Sequence, residues 1–216
     1  DQAYYYITHG GATGLRISPL NEPTAQGDAI TTFNDYQFHE VDDLSPAKVG
    51  RRWFGNRFDI QDEQSYVFEF PNIVQGSDVS VDVNVASASE SPTSMAVSLN
   101  GTAIDPINFG TISGSTLLSY RPSSQNAAPY IVPASGETVT VNLLYNNGGN
   151  PSSIGYLDYI RVGAERHLVA GSEQFSFRYN LAATNFGVGV YSITNASQIT
   201  QVWDVTNTSA IAAKAN

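Results

Sequence analysis

The chain has 216 residues, which suits one large β domain or two small ones and is long enough to bury a core. Its formal net charge is −10, which argues against a nucleic acid or an anionic membrane surface as partner. It has no cysteine, so these residues hold no disulfide, no thiolate metal site and no cysteine nucleophile.

Period-two alternation runs through the chain, and helical periodicity is almost absent. "YYYIT" at 4–8 reads as a first strand, followed by an irregular Gly-rich stretch over 9–30. "SYVFEFP" at 65–71 aligns Tyr66, Phe68 and Phe70 before Pro71 and Asn72 end the run. "DVSVDVNVAS" at 78–87 sets Val79, Val81, Val83 and Val85 on one face and Ser80, Asp82 and Asn84 on the other. That is a strand with one buried and one wet face. "NG" at 100–101 follows "AVSL" and suits a tight hairpin. "TVTVNLLY" at 138–145 is another strand, and "NNGGNPSS" at 146–153 a strong loop. "IGYLDYIRV" at 154–162 is apolar on both faces and reads as a central strand. "FSFRY" (175–179), "GVGVYSI" (187–193) and "TQVWDV" (200–205) are the last candidates.

About ten short strands separated by turns predict an all-β fold, an antiparallel β-sandwich of jelly-roll type with additional flanking strands. The expected organisation is an N-terminal strand and irregular Gly-rich segment at 1–32, a sandwich core at 33–180, and further strands at 181–216 that start a following module. No run approaches ~18 consecutive apolar residues, so no transmembrane segment is expected. The chain begins at Asp1 without an initiating Met or signal peptide and reads as a processed or excised piece.

Few residues carry an obvious chemistry. No Gly-x-Ser-x-Gly elbow is present, and "THGG" at 8–11 reads as a Gly-rich turn. His9, His39 and His167 are far apart and lack helical zinc spacing. Nothing marks a carboxylate pair for glycoside hydrolysis. The acidic loops offer Asp42, Asp43, Asp59 and Asp62 as hard oxygen ligands for a structural calcium, although a solvated acidic loop is the favoured reading and no cofactor is required. Tyr120, Tyr130, Tyr145 and Tyr156 lie near expected loops and strand ends, where a tyrosine can stack on a sugar or simply pack. Asn100, Asn195 and Asn207 lie in Asn-x-Ser/Thr triplets, which matter only in a eukaryotic secretory pathway.

One stretch departs from the rest. "VGRRWFGNRFDI" at 49–60 gathers Arg51, Arg52 and Arg57 around Trp53, Phe54 and Phe58 in an otherwise acidic chain. Arg and Trp are enriched at binding hot spots, so Arg51, Arg52 and Trp53 are binding candidates. Gly50 and Gly55 bracket the aromatics and suggest bends around a packed Trp53–Phe54 pair, with the arginines on neighbouring carboxylates. A structural brace is the favoured reading. Asp158 joins the candidates because its strand is apolar on both sides. A carboxylate there calls for a cationic partner from Arg51, Arg52 or Arg161, unless it meets water at an edge.

Several phrases in order resemble a known family: "GRRWFGNRF" (50–58), "YVFEFPN" (66–72), "SLNG" (98–101), "GYLDYIRV" (155–162), "ERHL" (165–168), "QFSFR" (174–178) and "VWDVTN" (202–207). Over most of 36–207 the chain is similar to the region preceding the peptidase domain in the type IX secretion sortase, a gingipain-type cysteine peptidase of Bacteroidetes. Asn56 departs from the pattern, which has an acidic residue after "WFG". The resemblance implies a parent exported to the bacterial cell surface or outer membrane, or secreted. That parent would remove the C-terminal sorting domain of cargo and help attach cargo to lipopolysaccharide. Its catalytic Cys and His would lie in a later domain, so this chain would be non-catalytic, and no catalytic residue carries over. Its partners would be the C-terminal peptidase domain of the same chain, secreted cargo or other secretion components. A carbohydrate-binding module of a secreted bacterial protein is the alternative. An enzyme working through carboxylates of this domain ranks last.

Overall fold

The computed structural model describes Tyr4, Tyr6, residues 9–11, Gly14, 16–46, 52–112, the backbone of 121–124, 129–184 and 187–216. Its strands are β1 (Ser18–Pro19), β2 (Asp28–Ile30), β3 (Thr32–Glu40), β4 (Arg57–Phe58), β5 (Glu63–Glu69), β6 (Asp78–Ala88), β7 (Thr93–Leu99) and β8 (Thr102–Phe109). They continue with β9 (Arg121–Ser124), β10 (Tyr130–Pro133), β11 (Thr138–Asn146), β12 (Ile154–His167), β13 (Gly189–Tyr191), β14 (Gln201–Asp204) and β15 (Ala212–Ala215). Two 3-10 turns, Asn180–Ala183 and Ala196–Gln198, are the helical elements among the described residues.

Two sheets make the expected antiparallel sandwich. In one, β10, β6, β12 and β3 lie side by side, with β9 continuing the β10 lane along β6 and β4 continuing the β3 lane along β12. The other runs β5-β11-β7-β8. The alternating valines of β6 are buried between them, facing Leu143 and Val141 of β11 and Met95 and Val97 of β7 in one core. The hairpin from β7 to β8 turns at Asn100 and Gly101, both at positive φ, as a two-residue turn between twisted strands requires. Pro106 sits in β8, the sheet's edge, where a missing N–H is tolerated.

The central-strand reading of 154–162 is correct: β12 pairs with β6 on one side and with β3 and β4 on the other. Two small sheets flank the sandwich, β1-β15-β14 and β13-β2, with parallel β1–β15 and β2–β13 pairings. "FSFRY" forms no strand: it makes one isolated bridge, Arg178 to Asn34, and packs Phe175 and Phe177 against Phe33. Ring contacts on the buried Phe33 hold that segment without a ladder. Residues 5, 7 and 8 of the expected first strand lie outside the described residues, and Tyr4 and Tyr6 are exposed.

Candidate functional site

The "WFGNRF" segment works as an edge strand and a roof. β3 leaves β12 at the Glu40–Tyr159 pair. Further along the chain, Arg57 and Phe58 take up the same lane opposite Tyr156 and Gly155. Leu157 N–H donates to the Asn56 carbonyl at 2.9 Å and Gly55 N–H to the Leu157 carbonyl at 3.0 Å. Phe58 enters the main core. Phe54 points to the outer face of the sheet, where it is fully buried on Tyr156 and Ala86 under Leu44. Gly55 is required at the crossing, because a Cβ there would lie 2.6 Å from the Val41 Cβ.

Asp158 stands where the lane passes from β4 to β3. Its strand bulges at this point: Leu157 pairs with Val85 and Tyr159 with Asn84, which leaves Asp158 as the extra residue. Its carboxylate is 3.7 Å from Arg52 Nε. Burial raises the Asp158 pKa above the ordinary carboxylate value, Glu40 and Asp42 push it the same way, and Arg52 opposes them. Arg57 pairs with Asp59 at 2.7 Å. The expected packed Trp53–Phe54 pair is corrected: Phe54 is buried and Trp53 is 43 % exposed, because successive strand residues face opposite ways. Arg51 and Gly50 lie outside the described residues.

Asn56 has a role of its own. His39 Nε2 donates to Asn56 Oδ1 at 3.0 Å, and the His39 ring lies 4.6 Å from that of Tyr66 across the two sheets. Burial pushes the Tyr66 phenol far above its ordinary value. Gln64 Nε2 donates to the Arg57 carbonyl at 2.9 Å, and Gln37 Nε2 donates to the Glu69 carbonyl. These contacts close the side of the sandwich between β3–β4 and β5.

Among the described residues, no group of three or more His, Asp or Glu could hold a metal ion. Asp42, Asp43, Asp59 and Asp62 are not gathered as a cage, and Asp59 is bound to Arg57. The tyrosines singled out as stacking candidates are placed differently. Tyr145 and Tyr156 are core residues, and Tyr130 is half-buried and donates to the Asp105 carbonyl at 2.7 Å. Tyr120 lies outside the described residues.

The exposed aromatic surface lies on β3, which sequence reasoning missed. Its Asp35, Gln37 and His39 turn toward the second sheet, and Tyr36 and Phe38 turn to solvent. Tyr36 meets Phe38 edge-on at 5.8 Å, and Phe38 lies 6.0 Å from Tyr159 on β12. Beside them Asn84 Nδ2 donates to the Tyr159 hydroxyl at 2.9 Å, and Arg161 Nε donates to Asp82 at 2.7 Å. The missed signal is the triplet "YQF" at 36–38, aromatic at period two.

No protein-family model matches the chain, and no curated protein sequence matches it. Among solved structures, a family 35 carbohydrate-binding module from an environmental isolate is matched with a TM-score of 0.37 at 15 % identity, over 62 % of this chain and 92 % of that one. The carbohydrate-binding module CBM36 in complex with calcium and xylotriose gives 0.36 at 17 % identity, over 62 % and 99 %. Dimeric latent PorU from Porphyromonas gingivalis gives a TM-score of 0.61 at 17 % identity, over 76 % of this chain. The chain covers 15 % of the length of that PorU structure. At this identity the likeness is one of fold: the chain has the β-sandwich fold of a segment of a much longer protein.

Proposed function

We propose that this chain is a non-catalytic β-sandwich domain of a surface-exported, gingipain-like cysteine peptidase of the type IX secretion sortase kind. In that role it positions the peptidase domain of the same polypeptide or contacts secreted cargo. The fold match to a short segment of PorU carries the reading. The ordered phrases between 50 and 207 support it, as does the lack of any cysteine. Residues 33–180 form the sandwich unit of this proposal, 1–32 its leading strand and Gly-rich segment, and 181–216 the start of the next module. No helix of the described residues is long and apolar enough to cross a membrane, and the proposed place of action is the bacterial surface. The test is peptide hydrolysis by the purified chain under reducing conditions. No cleavage is expected, and thiol-dependent cleavage by the pure chain overturns the assignment.

One observation favours a second reading, a carbohydrate-binding module: the solvent-facing aromatic row of Tyr36, Phe38 and Tyr159. Neither reading requires a metal.

A further inference from the structure

We propose that the outer face of β3, β12 and β6 is a binding site for a neutral oligosaccharide, built from Tyr36, Phe38, Tyr159, Asn84, Arg161 and Asp82. The proposal rests on the sugar-binding reading and names its site and ligand class. A sugar ring has an apolar C–H face and a rim of hydroxyls. A matching surface needs exposed aromatic faces and, beside them, polar groups already held in place.

Both are present. Tyr36 is 63 % and Phe38 49 % exposed, in an aromatic row that runs on to Tyr159. On the neighbouring strand the position opposite Tyr36 is Gly163, so no side chain from β12 crowds that ring. Tyr159 accepts from Asn84 and can donate its own proton to a sugar hydroxyl. The Arg161 guanidinium and the Asp82 carboxylate hold one another, and each is preorganised for a hydroxyl rim. All of these groups stand on strands rather than loops, which keeps the face rigid.

Charge selects the ligand. Arg161 and Asp82 neutralise each other at the centre of the face, and the chain as a whole carries −10. An anionic glycan or a phosphate-bearing ligand meets an unfavourable field, whereas a neutral sugar is unaffected by it. Among the described residues the other face offers no aromatic row: β5, β11 and β7 turn Ser65, Val67, Thr140, Leu144, Ser94 and Ala96 to solvent there.

The test is a titration of the 216-residue chain with cellohexaose, xylohexaose and mannohexaose, and with hexagalacturonate as the anionic counterpart, followed by calorimetry. At least one neutral hexasaccharide is expected to bind, and more tightly than hexagalacturonate. Tyr36→Ala and Phe38→Ala, both at exposed positions, are each expected to weaken it by about tenfold. Trp203→Ala, at an exposed aromatic of the flanking sheet, leaves binding unchanged. Sugar binding that survives Tyr36→Ala and Phe38→Ala overturns this site while leaving the sugar-binding reading standing. No binding of any neutral hexasaccharide at millimolar concentration overturns both. Self-association of the chain that Phe38→Ala abolishes, in the absence of sugar binding, also overturns it, because the face would then serve a second copy.

Discussion

Arg52 Nε stands 3.7 Å from the Asp158 carboxylate, at the point where the edge lane of the six-stranded sheet changes from β4 to β3. The pair ties a β-bulge in the central strand to the segment that roofs the outer face. Arg52 is partly exposed and Asp158 mostly covered, so the pair matters more for the carboxylate than for the guanidinium.

This geometry sets a pH dependence. The Asp158 pKa is raised, by burial first and then by Glu40 and Asp42, with Arg52 opposing. The folded chain therefore holds this proton at a pH where the unfolded chain has released it. The group's contribution is fully favourable below the ordinary carboxylate value and is lost as the pH rises through the raised folded value. Asp158→Asn, which mimics the protonated form, is expected to be as stable as the parent at neutral pH or more so. This advantage disappears at acid pH. Arg52→Ala is expected to do the reverse, lowering the melting temperature more at neutral than at acid pH. Thermal unfolding by circular dichroism across that range checks both. A neutral-pH loss in Asp158→Asn exceeding its loss at acid pH would contradict the assignment.

The crossing at Gly55 should be intolerant. An added Cβ would lie 2.6 Å from the Val41 Cβ and 2.7 Å from its carbonyl oxygen, so the backbone must shift. Gly55→Ala is expected to cost about 1–3 kcal/mol in urea unfolding. Gly110→Ala, where a Cβ meets nothing within 4 Å, is the control and should change stability by less than about 0.5 kcal/mol.

The buried hydroxyls near the end of β6 form a small network. Ser87 Oγ lies 2.8 Å from Thr93 Oγ1 and 2.7 Å from the Tyr145 hydroxyl, and all three residues are buried. Ser87→Ala removes the shared partner of both and is expected to cost about 1–3 kcal/mol. Tyr145→Phe should cost less, because Ser87 keeps Thr93. Chemical denaturation of the two variants gives the order, and the reverse order would show that Ser87 is not the hub.

Much of the sandwich was legible because burial and alternation agree. Residues 79–85 of β6, 66–68 of β5 and 139–145 of β11 bury an apolar side chain at every second position, and a period of two is enough to read them. β3 was not legible because its pattern is inverted. Its Asp35 is bound to Arg166 at 2.6 Å, and His39 to Asn56, at the lateral edge of the sandwich. Its Phe33 is buried while Tyr36 and Phe38 face solvent, so its aromatics marked no single face. The same cause hid the candidate site: tyrosines at expected loops were the visible ones, yet Tyr145 and Tyr156 are core. The stretch 49–60 stands out by its charge, but the placement of Gly55–Phe58 depends on β12, about a hundred residues away in sequence, which no local pattern encodes. The parallel β1–β15 and β2–β13 pairings join segments from opposite ends of the chain and were invisible for the same reason.

The proposed role of this β-sandwich is as part of a larger surface peptidase. An antibody raised against the 216-residue chain, used to isolate the native protein from the source cells for peptide sequencing by mass spectrometry, tests it most directly. The account predicts one polypeptide much longer than this chain, recovered with the outer membrane, whose remaining peptides include a Cys/His peptidase domain. A polypeptide no longer than the chain itself, or one joined instead to a glycoside hydrolase, would contradict it.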